Sequence, residues 1–96
     1  MKLKIPTTSV EYVMAEITSP SIIDTQWPVA LAVIPVSQKR PAVGDWHNAE
    51  WQDQAARLLI GPGTSLTLDC GEYAVWVRVD AAPESAVRKA GSLEII

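Results

Sequence analysis

Asp45, His47 and Glu50 place three potential metal ligands close together in the stretch Gly44-Asp45-Trp46-His47-Asn48-Ala49-Glu50-Trp51. His47 is the only histidine of the chain, and two of its four tryptophans, Trp46 and Trp51, flank it. Imidazole and carboxylate ligands suit several divalent metals. A zinc site prefers more His or Cys than this, and Cys70, the only cysteine, lies far along the chain. A calcium site needs several oxygen ligands on one tight loop. No metal site is predicted. Nucleophilic catalysis would require Cys70 and His47 to meet as a pair, and nothing in their spacing brings them together. On its turn, Cys70 reads as a small apolar plug. No G-x-S-x-G elbow is present for a serine nucleophile. Gly61-Pro62-Gly63 is followed by no G-K-[ST], so it is not a phosphate loop. The chain is therefore expected to be no enzyme and to carry no cofactor.

Aromatic surface is the chemistry that remains. Trp46, Trp51 and Trp76 could form a platform for a sugar. Trp46 and Trp51 are five positions apart, so on one strand they face opposite sides. Sharing a face would take a bend or a helical turn. The competing reading is packing or a protein interface. A tryptophan buries about 150–250 Å² and is enriched at interface hot spots. We read the stretch as an excursion between two strands, with Trp46 turned inward and Trp51 nearer an interface. Trp46, Trp51, Trp76 and Arg78 are the candidate interface residues, together with the apolar run Pro28 to Val36 as a contact edge. Arg78, Arg88 and Lys89 are placed to pair with acidic neighbours, although exposed pairs contribute little.

The elements that must position these residues come from a chain of 96 residues, read as a single domain over 1–96. A domain of this size buries only about 60% of the surface its unfolded chain exposes. A hydrophobic content of 48% suffices for one core. The net charge of −3 supplies no basic face, which argues against nucleic acid. A lone cysteine excludes an intramolecular disulfide. The N-terminal Met1 to Tyr12 has no apolar run of signal-peptide length, and no stretch approaches a membrane span. No membrane partner and synthesis in a cytoplasm are the expectation.

Prolines and glycines cut the sequence into short segments, leaving no long helical window except around Glu50 to Ile60. Strands are expected at Lys2 to Ile5, Val10 to Thr18 and Pro28 to Val36, with a break at Ser19 to Ser21. Pro28 to Val36 is apolar on both sides, which predicts a strand covered on both faces or facing a partner. Ala55 to Ile60 reads as a strand or the end of a short helix. Gly61-Pro62-Gly63 signals a tight turn. Ser65 to Leu68 reads as a strand and Ala81 to Gly91 as a loop. Ser92 to Ile96 reads as the last strand. Glu72 to Asp80 is the clearest strand: Tyr73, Val75, Val77 and Val79 share one face, and Ala74, Trp76 and Arg78 the other. About seven short strands with turns between them predict an all-β, immunoglobulin-like antiparallel β-sandwich without a disulfide. A small barrel is the structural alternative.

Asp69, Gly71 and Tyr73 sharpen that prediction. They reproduce the D-x-G-x-Y spacing of a tyrosine corner, in which the phenol bonds back to upstream backbone at the crossover between sheets. Antibody-type domains place a cysteine two residues after this tyrosine; here Val75 stands there.

The second half of the chain also resembles a known group of proteins. The parts are Gly44 to Trp51, Arg57 to Thr64 (RLLIGPGT), Gly71 to Val79 (GEYAVWVRV) and Val87 to Ile95 (VRKAGSLEI). In this order they resemble small proteins encoded among the virion structural genes of actinobacterial tailed phages and prophages. The resemblance covers the last half to two-thirds of the chain and carries over no catalytic residues. It implies a virion protein made in the host bacterial cytoplasm, either a capsid decoration protein or a component of the head–tail junction. Its implied partners are other virion proteins in a symmetric assembly. A polysaccharide-binding or host-adhesion module is the alternative.

Overall fold

Val29 to Ile34 are buried one after another without a break. A strand can bury both faces only when one layer covers it from below and another from above. The computed structural model, which describes residues 3–17, 26–64, 66–81 and 84–96, shows how the chain supplies both layers. In chain order the strands are β1 (Leu3–Ile5), β2 (Glu11–Glu16), β3 (Val29–Pro35), β4 (His47–Asn48), β5 (Glu50–Gln52), β6 (Ala55–Ile60), β7 (Gly71–Ala81) and β8 (Glu84–Ile95). A 3-10 turn at Val43–Asp45 precedes β4.

The strands form two sheets, β1-β8-β7-β3-β4 and β2-β6-β5. This is an immunoglobulin-like sandwich. In the variable-type arrangement the first sheet reads G-F-C-C′ and the second B-E-D, which is the order found here for β8-β7-β3-β4 and β2-β6-β5. The pairings are antiparallel except that of β1, which runs parallel to β8 with Leu3 opposite Leu93 and Ile5 opposite Ile95. Between the sheets, Leu31 and Val33 of β3, Val75 and Val77 of β7 and Leu93 of β8 meet Val13 of β2 and Leu58 and Ile60 of β6. Each such side chain contributes roughly 1.5–3 kcal/mol on burial.

Several local expectations need correction. β3 pairs with β7 along its whole length, but with β4 only at Ala30 and Leu31, so the Pro28 to Val36 run is an interior strand there and not an edge over its full length. Of the loop expected at Ala81 to Gly91, the described residues are strand: Ala81 ends β7, and β8 begins at Glu84 and pairs with β7 along its length. A bulge between Val75 and Trp76 absorbs the extra residue, and the irregular pattern it imposes on β8 hides the strand from period-two reading. Leu66 to Leu68 form no strand; Leu66 and Leu68 pack against the core from an irregular segment. The window around Glu50 to Ile60 holds β5 and β6 and no helix. The break expected at Ser19 to Ser21 lies outside the described residues, as do Lys2 and Thr18.

The Gly61–Thr64 turn follows its sequence. The Thr64 N–H donates to the Gly61 carbonyl at 3.1 Å, and Gly63 takes φ +80°. With Pro62 before it, this is a type II turn, whose third position needs positive φ. Gly61 itself sits at φ +123°, and a Cβ there would run into the Ser9 carbonyl. Gly61→Ala should therefore destabilise the fold by about 1–3 kcal/mol, which a denaturant titration would register as a lower midpoint.

The Tyr73 hydroxyl donates to the Asp69 carbonyl at 2.8 Å, the bond that makes a tyrosine corner. It ties the start of β7 to the crossover before it. Val75 is buried where an antibody domain has its cysteine, and Cys70 is exposed and not a plug. Burial pushes the Tyr73 hydroxyl above the ordinary tyrosine value of 10.0, and the Asp69 carboxylate adds to the effect. The folded state thus holds this proton more tightly than the unfolded chain does. Its contribution is complete below pH ~10 and is lost as the pH rises through the raised folded value. Tyr73→Phe should cost about 1 kcal/mol at neutral pH, or roughly 4–8 °C in Tm. Thermal melts should also show a shallower loss of stability at high pH in the variant than in the parent.

Candidate functional site

Ala32 and Ile34 of β3 and Ala74 of β7 form a second buried cluster, on the outer face of the five-stranded sheet. Small side chains leave a shallow floor on a pleated surface. Two large rings lie on it: Trp46, from the segment between the 3-10 turn and β4, and Trp76, from β7. Both are half-buried. Trp76 is opposite Ala32 on one side and Lys89 on the other, so the sheet itself fixes the ring. Its indole Nε1–H is covered and meets no acceptor.

Arg78 lies two residues along β7 on the same face, opposite Ala30 and Val87. Its guanidinium stacks over the Trp46 ring at 4.9 Å from the centroid, a cation–π contact. Its Nε lies 3.5 Å from an Asp80 carboxylate oxygen. Val87 and Lys89 are exposed on β8 beside it. The outer face thus presents two indoles, two cations and an apolar rim on a rigid sheet.

A loop clamp holds Trp46 in this position. The Asp45 carboxylate accepts from the Ala42 N–H and from the Gln38 amide, both at 2.8 Å. The Asp45 N–H donates back to the Ala42 carbonyl at 3.0 Å. The Ala42 and Gln38 bonds keep the Asp45 carboxyl below its ordinary value. Sequence reading treated Asp45 as a possible metal ligand and missed this role. The signal was an acidic residue at the third position of a short turn, where its carboxylate reaches back to the N–H of the residue before the turn.

Trp51 does not belong to this surface. It is on the inner face of β5, opposite Ala56, and packs on the core between the sheets. Its Nε1–H donates to the Trp27 carbonyl at 2.9 Å, tying the smaller sheet to the segment that enters β3. The expectation for the pair is therefore reversed: Trp51 is the inward ring and Trp46 the outer one. The cause is the change of sheet between β4 and β5, which turns the chain over within three residues (48 to 50) and sends the two indoles to different layers.

The other residues of the stretch also disperse. His47 pairs with Leu31 on β4. Glu50 accepts from Arg57 at 3.3 Å on the smaller sheet, where the Arg57 guanidinium also stacks 4.3 Å over the Tyr12 ring. Among the described residues, no three His, Cys, Asp or Glu side chains come close enough to share a metal ion. Arg88 donates to the Val87 carbonyl at 2.8 Å. No protein-family model, curated protein or solved structure matches this chain.

Asp45 leads to a direct test. Asp45→Ala removes the clamp while leaving the sheet floor intact. Trp46 should then become more exposed, with red-shifted emission and stronger iodide quenching, while the global unfolding midpoint stays close to that of the parent.

Proposed function

We propose that this chain is a non-enzymatic structural module of a tailed-phage particle, docking on another virion protein through the outer face of its five-stranded sheet. The observation that carries the docking surface is the grouping of Trp46, Trp76, Arg78 and Lys89 on one rigid face. Tryptophan and arginine dominate interface hot spots because large, pre-ordered side chains lose little entropy on contact. Here the sheet and the Asp45 clamp hold the rings before any partner arrives, which lowers the cost of binding. The two cations favour a partner surface carrying carboxylates. The assignment to a virion rests on the ordered resemblance of Gly44 to Trp51, Arg57 to Thr64, Gly71 to Val79 and Val87 to Ile95 to phage structural proteins.

A sugar platform would need an open indole face, and the Arg78 guanidinium already covers one face of Trp46. That favours protein over polysaccharide as the ligand.

Mass spectrometry of purified particles from a host carrying the gene should find the chain as a stoichiometric component. Lys89→Glu and Arg78→Ala should each reduce incorporation by about fivefold or more, the effect of roughly 1 kcal/mol or above at an interface residue, with little change in Tm. A chain absent from particles, or one whose Trp fluorescence responds saturably to host polysaccharide, would overturn the reading.

A further inference from the structure

Among the described residues, β2 is the longest strand that stands at the edge of a sheet. The smaller sheet is ordered β2-β6-β5, and among the described residues no strand pairs with the outer side of β2. The other edge strands are short: three residues in β1, two in β4 and three in β5. β2 runs for six residues, pairs with β6 in unbroken register, and holds no proline or lysine. Short length, proline, lysine and bulges are the usual devices that protect an edge, and β2 has none of them. Its charges, Glu11 and Glu16, stand only at its ends.

The backbone shows which groups are free. The Ile17 N–H donates to the Gln54 carbonyl. In the alternating pattern of an antiparallel pair, this directs the polar groups of Val13 and Ala15 toward β6. Those of Tyr12 and Met14 point away from the sheet. The side chains at the same positions are exposed: Val10 49%, Tyr12 42% and Met14 53%. Val13 and Met14 also line a cavity of about 200 Å³ that separates β2 from Leu93 and the bulge of β8.

We propose that β2 pairs with β2 of a second copy of this chain, antiparallel about a two-fold axis at Val13, joining the two small sheets into one. In this register the free backbone groups of Tyr12 meet those of Met14 on the other copy, and the reverse. The exposed Tyr12 ring packs on the other Met14 thioether, a favourable sulfur–aromatic contact. Glu16 falls opposite Val10 and Glu11 opposite Ala15, so no carboxylate faces another. One patch serves both copies, as a two-fold interface requires.

Area sets the strength. Six residues span about 20 Å, and a sheet layer is about 10 Å deep, so the seam covers roughly 200 Å² per copy. A stable interface needs about 800 Å² per partner. The pair therefore forms only at high concentration, such as that created when many copies gather in an assembly. This inference is independent of the docking surface on the other sheet.

Sedimentation equilibrium of the whole chain over a wide concentration range tests it, read beside amide hydrogen exchange. The expected result is a monomer that becomes a dimer on concentration, with exchange at Tyr12 and Met14 slowed about tenfold or more as it does so. Met14→Lys, at an exposed position, should abolish the dimer without lowering Tm. A monomer at every concentration would overturn the proposal. So would a dimer that survives Met14→Lys, or one lost in Lys89→Glu, which would place the contact on the larger sheet. Protection of Tyr12 and Met14 that appears only with another protein present would also overturn it, by showing that a different strand fills the edge.

Discussion

β3 must be covered on both sides, and much of the architecture follows from that constraint. Its inward residues Val29, Leu31 and Val33 call for a second sheet, which β2, β6 and β5 provide. Its outward residues Ala30, Ala32 and Ile34 are equally buried, yet no third sheet exists among the described residues. Over Ala32 and Ile34 two tryptophans do that work instead. The floor beneath them is Ala32, Ile34 and Ala74. The outer surface is thus first a solution to a burial problem, and its chemistry comes with it.

This origin explains why the surface combines aromatic and cationic groups. Arg78 stands two residues from Trp76 on β7, and its long side chain reaches from there to the ring of Trp46, which precedes β4 on the far side of β3. Its second interaction, with Asp80, limits its freedom. The covered Nε1–H of Trp76 has no acceptor, a loss of about 1–3 kcal/mol in a buried donor. Burial of the two indoles offsets it. The two faces of the sandwich differ accordingly. The larger sheet presents pre-ordered rings and cations. The smaller sheet presents an Arg57–Glu50–Tyr12 cluster and an open edge, whose unmet backbone groups suit a strand and not a side-chain patch.

The strands with strict alternation were legible in the sequence. Tyr73 to Val79 alternate cleanly because one face carries Tyr and Val toward the core and the other carries Ala74, Trp76 and Arg78 on the outer side, so period two survives in β7. Pro28 to Val36 announced double-sided burial, though not what would cover it. Asp69, Gly71 and Tyr73 announced the corner because its geometry is local. Only the end of β8, read as Ser92 to Ile96, was legible; its N-terminal part is exposed on both faces and leads into a bulge, which removes the apolar alternation that marks a strand. Leu66 to Leu68 misled in the opposite sense: its leucines face the core from irregular backbone, where burial imitates a strand.

Composition and local order by themselves determined an all-β sandwich with a tyrosine corner, a Pro-Gly type II turn at residues 61–64 and no disulfide. These depend on contacts a few residues apart, or on counts that no folding can alter. Which tryptophan faces which layer was decided only by the tertiary structure. Trp46 and Trp51 stand on either side of a crossover between sheets, and a chain that changes sheet resets the facing of every residue after it. Asp45, His47 and Glu50, adjacent in sequence, are parted for the same reason, and Trp46, Trp76 and Arg78, distant in sequence, are brought together because β3 needed a cover that no neighbouring strand supplied.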